Sequence, residues 1–123
     1  MKNFIIVFLG ISVLCIAQNK TDSPYSTTFT ACIKKIPNPN ECLEQELRLQ
    51  DKKLNIAYQK AKKSIQAFRV DTLRKVQRAW IHYRDKKCAF FYHKESGSGG
   101  ISDALQCELD ETIRRTKELE TLY

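Results

Sequence analysis

The sequence predicts an all-α domain, a three-helix antiparallel bundle stapled by two disulfides. Three observations carry that prediction. Between Pro39 and Gly97 there is no glycine and no proline, so nothing in that stretch breaks a helix. Apolar residues recur there at steps of three and four, and no alternating strand pattern appears. Cys32, Cys42, Cys88 and Cys107 form an even set in a small chain, which reads as a disulfide framework.

The chain opens with Met1-Lys2-Asn3 and runs from Phe4 to Ala17 almost without a polar residue. One lysine before about a dozen apolar residues is the pattern of a secretory leader, too short for a stable transmembrane span. Residues 1–17 are read as a signal peptide cleaved after Ala17, with Cys15 discarded in it. Leu14 precedes Cys15 where a lipidation signal needs a small residue. The mature chain then has about 106 residues and four cysteines. Localisation is expected to be periplasmic or secreted, with no membrane span left after cleavage.

Net charge is +7; removing Lys2 leaves 20 basic against 14 acidic residues, or +6. Such a surface suits anionic partners, although export argues against nucleic acid. At this length one domain with a small core is expected, and disulfides are its usual supplement.

Residues 18–37 are polar with few apolar anchors and are read as a flexible or loosely docked arm. Residues 38–123 form the helical domain. Asn38-Pro39-Asn40-Glu41 supplies an N-cap, a proline at the first helical position and a glutamate at the third. The first helix presents Leu43, Leu47, Leu54, Tyr58, Ala61, Ile65 and Phe68, with Asp51 a polar exception on the same stripe. The rhythm loses phase at Val70-Asp71-Thr72, where Asp71 can cap a second helix. That helix presents Leu73, Val76, Trp80, Tyr83 and Phe91, with Gln77, Arg84 and Cys88 beside them. The first two helices are expected to pack as a hairpin.

Glu95-Ser96-Gly97-Ser98-Gly99-Gly100-Ile101 is the clearest breaker. Ser102 can cap a third helix, whose face is Leu105, Leu109, Thr112 or Ile113, Thr116, Leu119 and Tyr123. Hairpin geometry then sorts the cysteines. Cys88 lies about eight residues before the glycine loop and Cys107 about seven after it, so the two reach similar heights. Cys42 and Cys88 would be offset by roughly 15 Å. The pairing predicted is Cys32–Cys42, clipping the arm, and Cys88–Cys107, across the loop.

The same arithmetic sets Asn55 opposite Arg84 and Asp51 one turn away. Asp51, Asn55, Gln77, Trp80 and Arg84 are expected to form a structural polar cluster, with a bidentate Arg84–Asp51 pair at its centre and Asp85 a surface companion. A charged site of Asp51, Arg84 and His82 is the weaker alternative. No catalytic residues are assigned, and the protein is read as not an enzyme. His82 and His93 are the only histidines. Neither a C-x-x-C nor an H-E-x-x-H motif occurs, so no metal and no cofactor are expected.

Cys42-Leu43, then Asp51-Lys-Lys-Leu54-Asn55-Ile-Ala-Tyr58, then Gln77-x-x-Trp80-x-x-x-Arg84-Asp85-x-x-Cys88, and finally Cys107, Thr112, Arg115 and Leu119 occur in an order that resembles the LprI-like lysozyme inhibitors. These are exported bacterial proteins. The resemblance spans about residues 32–122. It implies a protein partner, lysozyme or another muramidase, bound and occluded by this chain. The shared residues are fold determinants, so the contact surface must lie elsewhere. The loop Ser96, Gly97, Ser98, Gly99 and Gly100 is the natural protruding element. The other reading is a non-inhibitory envelope module for an anionic polymer or protein. No sequence feature assigns an oligomeric state.

Overall fold

The computed structural model describes residues 23–123; the signal peptide expected at residues 1–17 and the first part of the arm lie outside the described residues. Those described form four α-helices and no strand: α1 (Thr27–Cys32), α2 (Asn40–Ser64), α3 (Val70–Ala89) and α4 (Gly97–Glu120). The all-α class and both disulfides agree with the sequence reading. Cys32–Cys42 joins Cα atoms 5.8 Å apart, and Cys88–Cys107 joins Cα atoms 5.4 Å apart.

The arm is more ordered than its composition suggests. Ser26 caps α1, its hydroxyl accepting from the Phe29 N–H at 3.0 Å. Phe29 is 6% exposed and packs with Cys42, Leu43, Leu109 and Ile113. The buried Phe29, the Cys32–Cys42 bridge and hydrogen bonds from Ser26 to Glu46 dock a six-residue helix that could not persist alone.

α2 begins as its capping residues dictate. The Asn40 N–H donates to Asn38 Oδ1 at 3.1 Å, and the Leu43 N–H donates to the Pro39 carbonyl at 2.9 Å. Its end differs from expectation. Ile65 and Gln66 adopt extended backbone, a 3₁₀ turn covers Ala67–Arg69, and α3 starts at Val70. Asp71 therefore sits inside the first turn, pairing with Arg74 at 3.0 Å and Lys75 at 2.9 Å instead of capping. Phe68, expected on the apolar stripe, is 75% exposed.

The main packing is α2 against α4, not the α2–α3 hairpin expected. Asn40 meets Ser102 at one end and Lys60 lies over the Tyr123 ring at the other, so the two helices run parallel. Ala57, Ala61 and Leu119 are nearly inaccessible, and the two alanines let the helices approach closely. α3 runs antiparallel to α4, tied by Cys88–Cys107 at one end and Gln77–Arg115 near the other. It reaches α2 through long side chains, with Leu73 and Trp80 joining Leu54 in a second apolar cluster.

The glycine-rich stretch is helical. Gly97 has φ 57°, a conformation that favours glycine, and turns the chain from the Lys94–Ser96 3₁₀ turn into α4. Gly100 is buried, because a Cβ there would lie 2.6 Å from Ser96 Cβ and 3.2 Å from the Phe91 carbonyl. The break between α3 and α4 thus falls at residues 90–96. Ser102 lies inside α4, its hydroxyl donating to the Ser98 carbonyl at 3.1 Å.

Candidate functional site

α3 repeats its inward face at Leu73, Gln77, Trp80, Arg84 and Cys88, each three or four residues on. Arg84 is the hub of the polar cluster. Its Nη1 lies 3.4 Å from Asp51 Oδ1 and donates to Thr112 Oγ1 at 3.1 Å. Its Nε and Nη2 both reach Asp85 Oδ1 at 3.0 Å. The fork expected to clasp Asp51 is therefore turned to Asp85, because α2 and α3 do not approach closely enough. The guanidinium also lies 5.2 Å from the centroid of the Trp80 ring.

The other members divide. Gln77 is buried, and its Oε1 accepts from Arg115 Nε at 2.9 Å. Asn55 is exposed and lines a shallow groove with Gln77, Arg74 and Arg78. His82 is exposed too, half a turn round α3 from Arg84, so Asp51, Arg84 and His82 do not converge. Glu108 faces the cluster from α4. Burial pushes its carboxyl up, Arg84 opposes that, and the charges of Asp85 and Asp51 add to it.

Two buried carboxylates escaped the sequence reading. Glu46, 2% exposed, accepts from the Ser26 N–H at 2.9 Å, the Ser26 hydroxyl at 2.5 Å and Gln50 Nε2 at 2.7 Å. Burial alone would raise its carboxyl; the bonds from Ser26 and Gln50 outweigh that and hold it below its ordinary value. Glu111 is buried between Lys87, at 2.5 Å, and Arg114. The hydrogen bond to Glu111 raises the Lys87 ammonium. Among the described residues no buried side-chain nitrogen or oxygen lacks a partner. These clusters are satisfied ties between elements.

The first turn of α4 differs in kind. Ser98 and Gly99 are exposed, and nothing lies within 4 Å of a Cβ built on Gly99. The exposed acids Glu95 and Asp103 flank it, and the Cys88–Cys107 bridge joins the end of α3 to α4 ten residues after Gly97. Among the described residues no group of three or more His, Cys, Asp or Glu is arranged to hold a metal ion.

Comparison with known proteins assigns the chain to a family. The family described as "Lysozyme inhibitor LprI" matches residues 31–119. An uncharacterized protein of Escherichia coli (strain K12), YecT, is 33% identical over 95 residues. That alignment covers 64% of this chain and 59% of the relative, so the chain spans less than two thirds of the relative's length. No solved structure matches. The matched segment holds α2, α3, nearly all of α4 and the four paired cysteines, and the chain belongs to the LprI lysozyme-inhibitor family.

Proposed function

We propose that this protein is exported, binds a cell-wall hydrolase of the lysozyme class and occludes its substrate cleft. The observation that carries this reading is the family match across residues 31–119. Two disulfides suit an oxidising compartment, which is where such a hydrolase acts. The contact edge we propose is the turn Ser96–Gly100. It is short, lies in the α3–α4 segment that Cys88–Cys107 closes and is fixed by the tight seating of Gly100, so little ordering is left for binding to cost.

Charge bears on the target. Two basic proteins repel at long range, but the edge itself is flanked by Glu95 and Asp103. Those two carboxylates offset part of that repulsion at the edge, against Lys94 beside Glu95. Gly99→Arg tests the edge, since the site has room for a side chain and arginine favours a helix over glycine. Calorimetric titration of muramidases should give a one-to-one complex with the parent protein. Gly99→Arg should weaken that complex about tenfold or more while unfolding at the same or higher urea concentration. Equal affinity for parent and variant would remove the edge from the interface.

A further inference from the structure

The positive charge of this protein is concentrated on one segment. Residues 69–94 hold 8 basic and 2 acidic side chains, a net +6. The other described residues hold 11 of each sign. The same segment and the residue just before it carry the most exposed aromatics, Phe68 at 75% and Phe90 at 85%, with Tyr83 and Tyr92 more than half exposed.

These features share a face. The inward stripe of α3 runs through Leu73, Gln77, Trp80, Arg84 and Cys88. A second series, Thr72, Val76, Ala79, Tyr83, Lys86 and Phe90, repeats at alternating four and three residues and is exposed throughout. Phe68 stands one turn before it. From Val70 to Phe90 the stripe runs about 30 Å. Cations sit beside its rings, with Arg69 5.4 Å from the centroid of Phe68 and Lys87 5.7 Å from that of Tyr83.

We propose that this outer face of α3, with the Phe90–Tyr92 turn, lies in the plane of an anionic phospholipid surface. Aromatic rings settle at headgroup depth, and lysines on the same face reach the phosphates along their alkyl stems. Among the described residues no helix is long and apolar enough to cross a membrane, so the helix lies on the surface. A second copy of the chain does not fit, because it would oppose one +6 segment to another. An acidic protein fits less well, because the two most exposed rings project from opposite ends of a convex helix. A fluid surface accepts both.

The test is co-sedimentation of the oxidised chain from Gln18 onward with vesicles of phosphatidylcholine, alone or mixed equally with phosphatidylglycerol. Residues 1–17, read as a leader, are left out because the apolar run Phe4–Ala17 would itself enter the vesicles and mask the face of α3. Phe68→Ser/Phe90→Ser and Lys75→Gln/Lys86→Gln change exposed residues only, and circular dichroism should show parental folds. Each pair should lower partitioning onto the anionic vesicles about tenfold or more. Raising salt should weaken parental binding. Brominated lipid should quench Phe90→Trp emission beyond the quenching of Trp80 in the parent. Undiminished binding of Phe68→Ser/Phe90→Ser, or no added quenching in Phe90→Trp, would overturn the proposal. So would soluble polyglutamate binding the parent as tightly as the anionic vesicles do.

Discussion

Glu46 ties Ser26, ahead of α1, to α2 through one carboxylate, and Gln50, one turn along α2, donates both to that carboxylate and, at 3.3 Å, to the Pro24 carbonyl. Its carboxyl titrates below the ordinary 4.5 in the folded state. A lowered carboxylate contributes stability that is present above the unfolded value and is lost as pH falls through the folded one. Glu46→Gln should therefore cost about 2 kcal/mol at neutral pH, since a charged acceptor of buried donors is removed. It should also flatten the loss of stability on acidification below pH 4.5 relative to the parent. Urea unfolding of both proteins across that range measures the two effects. Glu108 acts in the opposite sense: its raised carboxyl binds a proton more readily when folded, so its contribution grows as pH falls. Comparing Glu46→Gln with the parent cancels it. Glu46 was not legible in the sequence for a physical reason. The stripe Leu43, Leu47, Asp51, Leu54, Tyr58 is the more hydrophobic one, but the buried face is Leu43, Glu46, Gln50, Leu54, Ala57, Ala61. Close packing on α4 selects small and hydrogen-bonded residues over the larger Leu47 and Tyr58. Glu46 also owes its burial to a partner twenty residues upstream that local spacing cannot reveal.

The elements were predicted best where a side chain fixes them locally. Asn38 and Pro39 set the start of α2, and the face of α4 at Leu109, Thr112, Ile113, Thr116 and Leu119 is the one its spacing indicates. Thr112 and Thr116 are buried there because their hydroxyls donate to the carbonyls of Glu108 and Thr112, four residues back. Prediction failed where tertiary contacts decide. α2 ends at Ser64 with no glycine or proline to stop it, and Ser96–Gly100 is helical despite its composition. Tight packing on Phe91 and Ser96 accounts for a glycine at position 100. The two neighbouring glycines should accordingly respond in opposite directions to alanine. Gly100→Ala should destabilise by about 2 kcal/mol through overpacking. Gly99→Ala, with open space around it, should stabilise by about 0.5–1 kcal/mol. The difference between their urea midpoints checks the assignment, and equal midpoints would contradict it.

The whole molecule rests on two modest apolar clusters, one at each end of the α2–α4 pair, with a disulfide at the α1 end and another between α3 and α4. Cys88–Cys107 closes a loop with a sequence separation of 19. Cys88→Ala/Cys107→Ala should lower unfolding free energy by about 3 kcal/mol, read from denaturant curves of variant and parent. The pairing holds but its expected reason does not: Cys88 lies at the end of α3 and Cys107 ten residues into α4, so the two are not equidistant from the connection, and residues 90–96 carry the chain back to the start of α4. The parallel α2–α4 contact was not legible, since it joins segments about 60 residues apart and no local pattern encodes it. The chain belongs to a lysozyme-inhibitor family, and occlusion of a hydrolase cleft is the proposal built on that match. The most direct measurement is lysis of a cell-wall suspension by a panel of acidic and basic muramidases, with and without the oxidised protein. Stoichiometric loss of lysis by at least one enzyme is the predicted result. Undiminished lysis by every enzyme, with no complex formed by any, would contradict it.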